Sequence, residues 1–161
     1  SPTRTVWGGG YIKPQNHTDT IDFVVTQTFG DATDFGNLTQ SRGHMGSVSS
    51  STRGIWYGGS IYGPDAPAYT IYNIIDYITI ASTGNATDFG DTRFANSGIH
   101  FTNAAASNST RGVFGGGTTP SAQVDIMYVT IATTGNASDF GDLTSTKYQG
   151  GGASDAHGGL G

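Results

Sequence analysis

Acidic and amide side chains recur along this chain at one fixed spacing. Asp31, Asp34 and Asn37, then Asn85, Asp88 and Asp91, then Asn136, Asp139 and Asp142 place oxygen donors at i, i+3 and i+6 around a glycine. Calcium takes clusters of carboxylate, amide and backbone oxygens, so Asn85, Asp88, Asp91, Asn136, Asp139 and Asp142 are candidate calcium ligands. The same residue types close Asx-turns without any metal, and the turn is the favoured reading. His44, His100 and His157 each fall in a glycine-rich stretch, where symmetry would let imidazoles share a transition metal. They lie 10, 12 and 18 residues beyond the nearest preceding Asp of an Asp-Phe-Gly triplet, an offset too variable for equivalent ligands. Independent histidines are therefore expected.

Aromatic residues offer a different chemistry. The stretch 60–73 is longer than its counterparts at 11–20 and 118–124, and unequal insertions between repeats map to loops that often bind. Trp56, Tyr57, Tyr62 and Tyr69, with Tyr72 nearby, would stack on sugar rings, because aromatic side chains present broad rigid faces with polar tips. Core or interface packing is the competing assignment for several of them. Catalysis finds little to use: there is no Glu, no Cys and no Gly-x-Ser-x-Gly elbow. Asp-Phe-Gly occurs three times without a phosphate loop, outside the context that gives it meaning in kinases. The chain is expected not to be an enzyme.

These residues are set in a chain of 161 with net charge −5, 26 glycines and an acidic complement made wholly of Asp. Leu appears only at 38, 143 and 160, a vocabulary that disfavours helices and suits short strands and turns. Two Lys and five Arg form no basic cluster, so no nucleic-acid partner is expected. No apolar run reaches the roughly 18–20 residues of a membrane-spanning helix. The chain opens at Ser1 without an initiator Met, which suggests processing or excision from something longer. Five Asn-x-Ser/Thr triplets, at Asn16, Asn37, Asn85, Asn108 and Asn136, reflect the abundance of Asn and Thr and the repetition of one turn.

The repetition is the dominant signal. Thr3-Arg4-Thr5-Val6-Trp7-Gly8-Gly9, Thr52-Arg53-Gly54-Ile55-Trp56-Tyr57-Gly58 and Thr110-Arg111-Gly112-Val113-Phe114-Gly115-Gly116 align, with the Arg residues 49 and 58 apart. The Asp-Phe-Gly triplets lie 54 and 51 apart. Residues 1–161 thus read as one repeat domain with approximate units 1–49, 50–107 and 108–161, each of about four short strands. The Arg-led run is one strand ending where glycines permit unusual backbone angles. The runs beginning Ile21, Ile75 and Ile126 are a second, apolar on both faces. The Asp-Phe-Gly segment is a short outer strand with Phe as buried anchor, and a Ser/Ala/Gly-rich stretch is a tightly packed inner one.

Gly115-Gly116, Tyr128-Val129-Thr130-Ile131 and Phe140, with Arg42 after Leu38-Thr39 in the first unit, resemble kelch repeats over the whole chain. Arg93 is displaced from the kelch-like position, Lys147 replaces Arg in the third unit, and Phe stands where kelch blades carry Trp. The resemblance implies all-β architecture built from kelch-like propeller blades, circularly permuted relative to the units above. A threefold β-prism or β-trefoil would use three units directly. Three blades do not close a ring alone, which suggests a homo-oligomer or part of a longer repeat chain. The unit Gly84-Asn85-Ala86-Thr87-Asp88-Phe89-Gly90-Asp91 also resembles repeats in tail-fibre and virion-surface proteins of marine phages. It implies a non-catalytic structural or adhesive module, on a virion surface or otherwise extracellular, displaying loops for host-surface glycans. A soluble threefold lectin and a filament or shell subunit without ligand are the alternatives. No cofactor is expected beyond the calcium weighed above.

Overall fold

A computed structural model of the chain describes residues 3–12, 16–62, 70–94, 104–118 and 121–154. These residues form an all-β structure of small separate sheets, none of them closed on itself. In chain order the strands are β1 (Arg4–Ile12), β2 (Asn16–Val25), β3 (Thr33–Asn37), β4 (Gly46–Ser49), β5 (Arg53–Tyr57), β6 (Ser60–Ile61), β7 (Thr70–Ile71), β8 (Ile74–Thr79), β9 (Thr87–Asp91), β10 (Ala105–Ser107), β11 (Arg111–Gly115), β12 (Gln123–Thr130) and β13 (Ser138–Lys147).

The first sheet is β1-β2-β3, the second β4-β5-β8-β9 and the third β10-β11-β12-β13, all antiparallel. A two-stranded ribbon, β6-β7, branches from the second. The Arg-led strand pairs with the apolar strand in one register throughout: Trp7 faces Asp22, Trp56 faces Asp76 and Phe114 faces Met127. The inner strands, Gly46-Ser47-Val48-Ser49 and Ala105-Ala106-Ser107, are made of small residues because they pack closely on each other. Ser107 Oγ donates to the Ser49 carbonyl across them at 2.9 Å.

Neighbouring sheets are joined at the outer rim by one repeated device. Gly84 and Ala86 donate backbone N–H groups to the Phe35 and Asn37 carbonyls, both at 2.7 Å. Gly135 and Ala137 do the same to Phe89 and Asp91, at 2.7 and 2.8 Å. The approach demands glycine on the receiving strand: at Gly90, with φ +147°, a Cβ would lie 2.5 Å from the Gly135 backbone. An arginine adds a second tie. Arg4 stacks on Phe23 and reaches across to the Ile80 carbonyl, and Arg53 stacks on Tyr77 and reaches the Ile131 carbonyl, each donating at 3.0 Å.

The core lies between sheets. Ile21, Phe35, Leu38, Trp56, Ile78 and Ile80 fill the first junction. Val48, Ile55, Tyr57, Phe89, Phe114, Met127 and Val129 belong to the second. The expected anchoring by Phe holds for Phe35 and Phe89, both 3% exposed, but Phe140 is 53% exposed. It has the same local conformation, and among the described residues no following sheet covers it.

Candidate functional site

Side chains with polar chemistry gather where the glycine pairs end the Arg-led strands of the first two sheets. Gly58 and Gly59 take positive φ and turn the chain into β6. The ribbon is fastened to the 43–44 segment by paired backbone bonds between Gly43 and Ser60, both at 2.9 Å. This brings Tyr62, at the end of the ribbon, onto Tyr11 at the end of β1, His17 at the start of β2, and His44. Tyr62 stacks on Tyr11 with centroids 5.9 Å apart and on His44 at 5.7 Å, and meets His17 edge-on at 4.9 Å. Gly43 has no room for a side chain here, since a Cβ would sit 3.0 Å from the His17 ring.

His17 is buried at 8% exposure, and neither ring nitrogen has a hydrogen-bond partner among the described residues. Burial, and next the nearby His44, pull its pKa below the usual 6.5. Burial lowers that of His44 as well. Both rings are therefore neutral at pH 7, and the cluster is an uncharged aromatic surface with the His17 nitrogens enclosed within it. Tyr11 remains 43% exposed. Such a surface suits stacking on a flat polar ring.

Beneath the cluster lies a buried ion pair. Arg42 and Asp76 are both fully buried with Nη2 and Oδ2 3.0 Å apart. Asp76 also accepts from the Thr39 backbone N–H at 3.1 Å and the Thr39 hydroxyl at 2.7 Å. Burial pulls the Arg42 pKa down and Asp76 opposes it. The Arg42 carbonyl receives Gly10 N–H at 2.9 Å, so the pair also anchors the β1 end that carries Tyr11.

The residues singled out from sequence part company here. Tyr62 is in the cluster, while Tyr69 lies outside the described residues, as do His100 and His157. Trp56 and Tyr57 are 5% and 0% exposed, with Tyr57 stacked on Phe114 at 4.1 Å and donating to the Met127 sulfur. Burial, chiefly, raises the Tyr57 pKa. They are core residues, because each points between sheets. The exposed partner of Tyr62 is instead Tyr11. Its place directly after Gly9-Gly10 was the available signal, for Tyr62 also lies close behind a glycine pair, three residues beyond Gly59.

Four of the six residues weighed as calcium ligands, Asn85, Asp88, Asn136 and Asp139, serve junctions and turns. Asn85 Oδ1 accepts Asn37 N–H at 3.1 Å, and Asn136 Oδ1 accepts Asp91 N–H at 3.0 Å. Asp88 Oδ1 closes its own turn on Gly90 N–H at 3.0 Å, and Asp139 pairs with Arg93. Among the described residues no three His, Cys, Asp or Glu side chains gather closely enough to hold a metal ion. No helix there is long and apolar enough to cross a membrane. No protein-family model matches this chain, and no curated protein matches it significantly.

Proposed function

We propose that the chain is a non-catalytic, loop-presenting module of an extracellular or virion-surface appendage, its three sheets being consecutive kelch-like propeller blades. Its binding surface is the aromatic cluster at the glycine-pair ends of the first two sheets, and its ligands are glycans of a host surface. The observation that carries the reading is the stacked Tyr11–Tyr62 pair, held on a frame of paired strands rather than on a free loop. The neutral imidazoles packed beside it add no charge that a bound sugar would have to desolvate. The buried Asp76 and Arg42 side chains are occupied in holding sheets together. The resemblance of the Asp-Phe-Gly unit to phage fibre repeats supports the setting, and weak single sites would gain from repeated display.

A glycan array probed with the wild-type chain tests this. Binding to a defined set of glycans is expected, weakened about threefold to tenfold by Tyr62→Ala or Tyr11→Ala, the range of one stacked ring. A blank array, or binding indifferent to both substitutions, overturns it.

A further inference from the structure

Among the described residues, the ties set out below have one half bare on the first sheet and the other half bare on the third. The tie between Arg42 and Asp76 is the most specific. Its carrier segment, Leu38-Thr39-Gln40-Ser41-Arg42, has a match in Leu143-Thr144-Ser145-Thr146-Lys147. The match is structural too. The Arg42 carbonyl accepts Gly10 N–H at 2.9 Å and the Lys147 carbonyl accepts Gly117 N–H at 2.8 Å. Leu38 and Leu143 lie against Gly9 and Gly116 in the same way. Asp22 stands in its strand where Asp76 stands, opposite a tryptophan. Lys147 is exposed and Asp22 half-buried, and neither is in an ion pair among the described residues.

The remaining ties are divided likewise. Gly141, at φ +141°, has open space where Gly90 has the Gly135 backbone. Ala32, the counterpart of buried Ala137, is exposed. Arg111 stacks on Tyr128 as Arg4 and Arg53 stack on their rings, without a further sheet to reach.

The inner strands complete the pattern. Among the described residues the first sheet has no strand on the inner edge of β1, where β4 and β10 flank β5 and β11. A cleft of about 280 Å³ lies there, between Val6, Trp7 and Gly8 of β1 and Ser47 and Trp56 of the second sheet. Residues Gly151-Gly152-Ala153-Ser154 have the small-residue composition of β4 and β10. They lie beside β10 as β10 lies beside β4: Ser154 Oγ donates to the Ser107 carbonyl at 2.8 Å, repeating the bond from Ser107 to Ser49. A Cβ at Gly152 would sit 2.6 Å from the Ala105 carbonyl oxygen.

We infer that a second copy of this chain docks head to tail, its first sheet on the third sheet of the other. Lys147 and Thr144 of one copy engage Asp22 of the next, and residues 151–154 fill the cleft beside the next copy's β1. This contact follows from the sheet junctions and is independent of glycan binding; only its closure by two copies rests on the propeller reading. Six blades fall within the range of closed propellers and nine do not, so two equivalent contacts close the ring.

Sedimentation velocity at tens of micromolar, with circular dichroism as the folding check, tests it. The wild-type chain is expected at twice its 16.6 kDa mass. Asp22→Lys alone and Lys147→Asp alone should each sediment as folded monomers, since each sets like charges against one another. An equimolar mixture of the two variants should restore the dimer, because both of its contacts then pair opposite charges. A monomeric wild-type chain, variants that associate as the wild type does, or a mixture that stays monomeric would each overturn the proposal.

Discussion

At the junction of the first two sheets Asp76 occupies the strand position that Met127 holds at the junction of the second and third. The frames match: the same rim bonds, the same cross-reaching arginine, the same register. What is buried differs. The first junction encloses an ion pair with a threonine clasp, and the second encloses Tyr57 stacked on Phe114 with its hydroxyl on the Met127 sulfur. Arg93, which follows the second outer strand, finds no acid at the Met127 position and pairs with Asp139 and Asp125 at the surface instead. The repeated frame therefore sets how sheets stack, while the inserted chemistry sets which sheets suit one another.

The largest expected effect separates the two junctions. Asp76→Ala leaves the Arg42 charge buried and unpaired and should cost about 3–5 kcal/mol of unfolding free energy in a urea titration. Replacing both partners with Met, so that the first junction imitates the second, should be neutral or add about 1–4 kcal/mol. A double variant as damaged as the single would show that the pair has a role its apolar replacement cannot fill.

The shared frame is probed at the glycines. Gly90→Ala must accommodate both its φ and a collision with the Gly135 backbone, and about 1–3 kcal/mol of destabilisation is expected. Gly141→Ala, with a similar φ and open space, should cost less in dilute solution. Equal losses would mean that the close approach contributes nothing beyond backbone strain.

How far the sequence anticipated this structure follows from what a repeat can and cannot encode. The Arg-led strand, the apolar strand and the Asp-Phe-Gly strand were legible because each repeats its own local pattern. The short inner strands were legible from small residues alone. The exposure of Phe140 was not, since it has the same neighbours in sequence as Phe35 and Phe89 and differs only in what stacks on it. Trp56 and Tyr57 looked like surface aromatics because they adjoin an irregular loop, yet alternation within β5 turns each toward a core. His17 was missed because no other unit has a histidine at that place, and its significance arises only when the ribbon brings Tyr62 across.

The smallest effect belongs to that cluster. His17 and His44 have lowered pKa values in the folded chain, so between those values and the usual 6.5 the unfolded chain binds more protons. Their contribution to stability is fully present above pH 6.5 and is lost as the pH falls below it. A melting temperature that declines from pH 7.5 to pH 5, with a shallower decline in His17→Phe, is expected from scanning calorimetry. An unchanged slope in that variant would remove His17 from the account.

The rim bonds between Gly84, Ala86 and the preceding outer strand use groups that all fall within one period of the chain. Deleting or duplicating a whole period would leave every surviving rim bond with its customary partner. The rim therefore tolerates a change in the number of units by unequal recombination, and the Arg42–Asp76 pair restricts which units can be lost. The variable end-loops are then free to diverge from copy to copy on a scaffold that tolerates the change in number.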